Sequence, residues 1–200
     1  MMKDNFLDFT EKRRSIYSLG KREVLGETEI VELVEQAVKY CPSAFNSQSA
    51  RAVVLFGKSY QRFWDIVSET LKAIVPEKAF AATAKKLDSF RSGLGTILFF
   101  EDMDIVRGLQ EKFPLYADNF PKWSLQSNGM LEYIVWTALA EKNIGASLQH
   151  YNPLIDEVVA KEWKLPESWQ LLAQMPFGSI EAPADDKSFE PIEKRVKVFK

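Results

Sequence analysis

The sequence predicts an α+β fold, with a central mixed or antiparallel sheet of about four to five strands flanked by helices, in one domain over residues 1–200. Three observations predict it. Short β-branched and aromatic runs bounded by glycine, such as "RAVVLFG" and "GTILFFE", read as buried strands. Stretches with apolar residues at helical spacing fill most of the chain between them. The two kinds of element mix without the regular strand–helix alternation of a parallel sheet.

A first helix is expected through "NFLDFTEKRRS", with Phe6, Phe9 and Arg13 at helical spacing. A second runs through "TEIVELVEQAVKYC". Thr28 can cap it, Glu29 suits its positive end, and Ile30, Val31, Val34, Ala37, Val38 and Cys41 form one apolar face. Pro42 closes it. After the strand Arg51 to Gly57 come two helical segments, "YQRFWDIVSETLKAIV" and "EKAFAATAKKLDSFRSG", then the strand "GTILFFE". A short helix around "DIVRGLQEKF" leads through the aromatic-rich "PLYADNFPKW" to the longest helix, roughly Ser124 to Lys142. Its apolar groups run around much of the circumference, as in a helix buried on most sides in a core or a subunit interface. "GASLQHY" and "WQLLAQMPFGSI" supply two more strands, with the helix "LIDEVVAKEWKL" between them. The tail starts as loop and ends in the alternating "RVKVF", a candidate edge strand. So short a strand is marginal alone and must pair with a sheet, which could belong to another subunit.

Composition excludes several classes of function. With 46% hydrophobic and 27% charged residues, the chain can bury an ordinary core. A net charge of -2 argues against general nucleic-acid binding. The opening "MMKDNFLDFTEKRRS" has no uninterrupted apolar core and does not read as a secretory leader. The longest apolar runs fall short of the roughly 20 residues that span a bilayer. With one cysteine and one histidine, no intramolecular disulfide and no usual zinc ligand set can form. A cytoplasmic protein without a structural metal is the expectation.

Four stretches carry clustered polar groups: "KRRS"; "CPSAFNSQSAR"; "LQHYNP"; and "MPFG" followed by "DKSFEPIEKR". The first and last bring fixed positive charge, and arginine's fork of donors suits phosphate or carboxylate. The second offers hydroxyls and amides to a ring edge or a polyol. On the residues alone, Arg13 and Arg14 could equally offset the negative end of the first helix. Ser43 and Asn46 could be ordinary turn formers. Cys41 reads as a core residue. Trp123, Tyr133 and Trp136 read either as a substrate gate or, the favoured choice, as filling of an interface. "GLG" at Gly93 to Gly95 lacks the spacing of a dinucleotide loop.

The ordered set "EKRRSIY", "PSAFNSQSAR", "GTILFFED", "ASLQHYNPLID", "AQMPFG" and "FEPIEKRVKVF" resembles the FMN-dependent nitroreductase family, in its compact fatty-acid-repression (Frm2-like) branch, nearly end to end. The resemblance implies that Arg13, Arg14 and Ser15 bind the FMN phosphate and ribityl chain. It implies that Pro42, Ser43, Asn46 and Gln48 reach the flavin from the partner subunit of a homodimer. Leu148, Gln149 and His150 match the segment against the flavin ring, where a backbone N–H commonly points at N5; for His150 the backbone matters more than the ring. Lys187 stands at the family's phosphate lysine. Phe189 replaces an arginine usual there, and Arg195 is the candidate to supply that second charge. Arg51 stands where many relatives carry an aromatic.

The implied activity is an NAD(P)H-dependent, FMN-containing oxidoreductase that reduces nitroaromatics or quinones by ping-pong hydride transfer. No dedicated catalytic acid or base is implied, because the cofactor carries the chemistry. The alternative is a flavin- or lipid-responsive regulatory protein in fatty-acid signalling or stress response. The sequence does not select NADH over NADPH, nor the physiological acceptor.

Overall fold

The computed structural model describes residues 5–200; Met1–Asp4, which open the stretch read above for a leader, lie outside the described residues. Helix α1 (Phe6–Lys12) begins at a capping box, in which the Asn5 side chain accepts from the backbone of Leu7 and Asp8 while Asp8 accepts from the Asn5 N–H. It stops sooner than the spacing predicts, so Arg13 is already extended and Arg14 and Ser15 lie beyond the helix. Strand β1 (Leu19–Gly20), too short to show a pattern in sequence, follows. Helix α2 (Glu27–Tyr40) is entered through Gly26, whose N–H donates to Glu29 Oε2 at 2.9 Å. The Glu29 side chain rather than Thr28 therefore does the capping, at an N-cap two residues earlier than expected.

Strand β2 (Ala50–Phe56) leads into α3 (Gly57–Ile74) and α4 (Glu77–Arg91), then β3 (Gly95–Asp102) and α5 (Met103–Lys112). A 3-10 turn, Pro114–Asn119, precedes α6 (Phe120–Glu141), which starts four residues before the expected Ser124. Pro121 is tolerated because first-turn N–H groups lack helical partners anyway. Strand β4 (Ile144–Ala146) is only the first part of "GASLQHY"; Gln149 rejoins the sheet through a lone bridge to Gln174. Helix α7 (Asp156–Glu162), β5 (Trp169–Ile180) and the short α8 (Ile192–Arg195) complete the chain. The expected edge strand in "RVKVF" does not form within the chain: Val196 is extended, and Val198 and Phe199 are exposed.

The sheet runs β1-β5-β3-β2, every ladder antiparallel, with β4 also on β5. Strand β3 lies in the middle and is buried but for its last residue, which is why "GTILFFE" is apolar without alternation. Its side chains separate by face. Leu98 and Phe100 join Trp64, Phe90 and Val159 under α3, α4 and α7; Ile97 and Phe99 join Val34, Leu131 and Val135 under α2 and α6. A Cβ on Gly178 would collide with the Gly20 carbonyl, so glycine is what lets β1 close on β5. Strand β2 is an edge strand whose side chains, Leu55 excepted, are only half-buried. Among the described residues, no helix is long and apolar enough to cross a membrane.

Candidate functional site

The residues singled out above fall into two clefts and the strap between them. Beyond α1 the chain turns along β4: Ser15 bridges Ala146 in parallel, and the Ile16 N–H donates to the Ala146 carbonyl at 2.9 Å. Trp136 Nε1 donates to the same carbonyl at 3.1 Å, and the Arg13 guanidinium lies 4.2 Å over the Trp136 ring. Stacking on an indole fixes the guanidinium without spending its N–H donors. Among the described residues nothing bonds to the buried Arg13 Nε, and burial pulls the guanidinium pKa below its usual value. Arg13, Arg14, Ser15, Tyr17 and Ser18 face Asp185, Asp186 and Lys187 across a cleft of about 510 Å³. Arg14 Nη2 donates to the Asp185 carbonyl, which ties the tail to the strap, and the Lys187 ammonium sits 5.0 Å over Phe189. Arg195, in α8, does not line this cleft.

The second cleft, about 660 Å³, opens between α2 and the free side of β2. Val31, Val38, Ala52 and Val54 form its apolar wall; Pro42, Ser43, Gln48 and Arg51 form its polar end. The loop carrying that end has an unusual backbone: Phe45, Asn46 and Gln48 have φ of 56°, 51° and 49°, in the left-handed region that side chains other than glycine's rarely adopt. Its own polar groups hold it there. The Asn46 and Ser47 N–H groups donate to the Ser43 and Ala44 carbonyls at 3.0 and 3.1 Å, and the Gln48 N–H donates to Ser43 Oγ at 3.0 Å. Arg51 donates to the Gln48 carbonyl at 2.7 Å and pairs with Asp102 at 3.0 Å. Many of the short polar side chains in "CPSAFNSQSAR" are thus used to shape the loop itself, and Arg51 is a brace. The Asn46 and Gln48 side chains remain exposed.

Phe45 anchors the loop tip. Its ring packs 4.9 Å from Phe113 and 5.3 Å from Phe120, and stacks at 6.1 Å on Trp123. This aromatic cluster accounts for "PLYADNFPKW". Trp123 and Trp136 make these contacts within one chain, as does Tyr133, whose hydroxyl donates to Thr10 Oγ1 at 2.7 Å. Cys41 is half-buried rather than in the core; its thiol donates to the Ser127 carbonyl at 3.5 Å, and burial pushes its pKa up.

The third stretch lies beside the strap. Gln149 exchanges both backbone hydrogen bonds with Gln174, and its side chain donates to Ser147. Its N–H is therefore committed to the sheet, while Leu148 is half-buried and His150 exposed. The structure thus joins Arg13, Arg14, Ser15 and Lys187 around one cleft, with Leu148 to His150 next along the chain from Ala146. It leaves Pro42, Ser43 and Gln48 on the other cleft. The sequence reading missed the Trp136 platform under Arg13, signalled only by fold. It also missed the fully buried Glu101, a carboxylate inside an apolar strand, which was a legible signal.

Comparison with known proteins bears on the family and the fold. The model of the nitroreductase family matches residues 10–179. The nitroreductase FRM2 of Saccharomyces cerevisiae is 32% identical over 92% of this chain and 93% of its own. Nitroreductase CinD from Lactococcus lactis, solved in complex with nicotinic acid, is 53% identical, covers 98% of this chain and 100% of its own, and superposes with a TM-score of 0.91. Its complex with 4-nitrophenol gives 51% with the same coverage and a TM-score of 0.89. A Desulfovibrio desulfuricans chain in complex with FMN, at 18% identity and 100% coverage of both chains, shares the fold with a TM-score of 0.73.

Proposed function

The chain belongs to the nitroreductase family, and on that premise we propose that it is an FMN-dependent oxidoreductase that uses NADH or NADPH to reduce nitroaromatics or quinones. The observation that carries the reading is the strap cleft. A buried, unpartnered Arg13 Nε on a tryptophan platform, with Arg14 and Lys187 beside it, fits a phosphate monoester. The relatives add support: CinD holds nicotinic acid and 4-nitrophenol, and a chain of the same fold holds FMN.

FMN, when bound, would supply the two-electron redox chemistry between a nicotinamide and the acceptor. The chain's residues do the rest. Arg13 and Lys187 bind the phosphate, with the strap holding Arg13 in its rotamer. Ser15 donates to the ribityl hydroxyls. The Gln149 N–H is occupied, so the neighbouring Leu148 and His150 backbones are the ones left to meet the ring.

The loop from Ser43 to Gln48 serves the site of a second copy in a homodimer. Strand β2 offers an unpaired edge beside an apolar cleft, and the exposed tail, extended at Val196, carries alternating apolar groups that fit such an edge. That exchange of tails brings one chain's loop to the other chain's strap. The test is anaerobic titration of the FMN-reconstituted protein with NADH and then NADPH, followed by the visible absorption of the flavin. Bleaching by either, reversed on adding 4-nitrophenol or a quinone, is the expected result; a flavin that neither nucleotide bleaches overturns the reading.

A further inference from the structure

Glu101 is wholly buried in β3, yet among the described residues no cation pairs with it. Its Oε1 accepts from Ser49 Oγ and its Oε2 accepts from Asn128 Nδ2 at 2.8 Å. Asn128, itself buried on α6, also donates to the Phe100 carbonyl at 2.9 Å. Ser49 continues outward to Ser47 at 3.2 Å. The preceding positions of β3, Ile97 to Phe100, are all apolar, and an apolar residue at 101 would avoid the cost of burying a carboxyl. What the carboxyl supplies is directional bonding to the loop above it. That loop needs fastening, since a left-handed conformation is strained for side chains such as Phe45's and persists only where the surroundings over-determine it. The Phe45 rings hold the tip from one side, and the Glu101 bonds hold the base from the other.

We propose that Glu101 is a positioning residue: it fastens Ser49, and through Asn128 ties the loop Ser43–Ser49 to α6, fixing where Asn46 and Gln48 stand for a flavin. The flavin part of this rests on the function proposed above. The charged and titratable groups facing the carboxyl are Arg51 of β2, held by Asp102; Asp102 itself; and Cys41 at the end of α2. Desolvation outweighs the opposing hydrogen bonds and raises the Glu101 pKa. A folded-state value above the unfolded one makes this group's contribution to stability greatest at low pH. That contribution is lost as pH rises from the unfolded value through the folded one.

The experiment compares the full-length protein with Glu101→Ala, Glu101→Gln and Ser49→Ala. Three quantities are read: amide hydrogen exchange at Asn46, Ser47 and Gln48 without FMN; the FMN dissociation constant; and the urea midpoint from pH 5 to 8. In Glu101→Ala, the loop amides exchange about tenfold faster while β3 and β5 stay protected, and FMN binds about tenfold more weakly. Glu101→Gln, whose Oε1 can accept from Asn128 while its Nε2 donates to Ser49 Oγ, restores both quantities, and its urea midpoint loses part of the decline with rising pH that the parent shows. If Glu101→Ala does not fold, Ser49→Ala carries the test, because it frees the loop while leaving the carboxyl on Asn128. Loop exchange that stays unchanged, or that Gln does not restore, overturns the proposal. Loop exchange that responds as stated in a protein that never binds FMN keeps the fastening and discards the flavin reading.

Discussion

The loop from Cys41 to Arg51 and the strap from Arg13 to Ser15 are both short, polar and without glycine, but the fold treats them oppositely. In the loop the polar groups are matched to one another: Ser43 with the Gln48 N–H, Ser49 with Glu101, Arg51 with Asp102. In the strap Arg13 is packed and stacked, yet its buried Nε has no partner among the described residues. A buried donor left unpaired costs roughly 1–3 kcal/mol, so such a group points to something that will pair with it. The loop is a finished wall; the strap is a socket. Side-chain chemistry alone does not tell them apart, because what differs is whether the partners are already in the chain.

The largest effect is expected where the socket is emptied. Arg13→Ala should weaken FMN binding by roughly 2–3 kcal/mol, about 30- to 150-fold, measured by fluorescence quenching during FMN titration. An unchanged affinity would make Arg13 a structural brace like Arg51 and erase the contrast. A third group sharpens it from outside both regions. Glu132 on α6 is half-buried, and burial pushes its pKa up to about 7. Because the folded value is raised, Glu132 weakens stability as pH rises from about 4.5 through 7. Glu132→Gln should therefore gain about 2 kcal/mol at pH 8 and almost nothing near pH 4, read from urea unfolding at both.

Lys187 lines the same socket but is exposed, so Lys187→Ala should cost less than Arg13→Ala, about 1.5 kcal/mol in FMN affinity, or about tenfold. An equal or larger loss would show that charge, not the packed geometry of Arg13, governs the site. The smallest effect tests the wall. At Phe45 the φ of 56° should reverse the usual ranking of glycine and alanine: Phe45→Gly should be about 1 kcal/mol more stable than Phe45→Ala in urea unfolding. Alanine equal to glycine there would mean that the loop is not held in that conformation.

Much of this architecture was legible because strands and helices announce themselves by period. "GTILFFE" and "WQLLAQMPFGSI" lie on the two central strands, and the all-round apolar α6 contacts β3, β2 and α2. Strand β1 was not legible, since two residues carry no period. The end of α1 was misjudged because Arg13 to Ser15 keep helical composition, while the bridge from Ser15 to Ala146 takes them out of the helix. Thr28 lost the cap to Glu29 because a glutamate three residues beyond Gly26 reaches back to its N–H. Within the site, residue types named the socket, but the Trp136 platform depends on α6 passing under the strap, which no local pattern encodes. Likewise the tail's alternation was legible, yet no strand forms there within the chain; the function proposed above puts its partner on a second copy.

Under the function proposed above, one chain's socket works with the other chain's wall. The most direct test mixes two variants, Arg13→Ala and Asn46→Ala, each expected to bind FMN weakly alone, under conditions that exchange subunits, and titrates the mixture with FMN. A site drawn from two chains predicts that each mixed dimer regains one intact site beside one doubly damaged one, so tight FMN binding and NADH-dependent turnover reappear. A site built within one chain leaves every site with one lesion, and a mixture no better than its two components would contradict the claim.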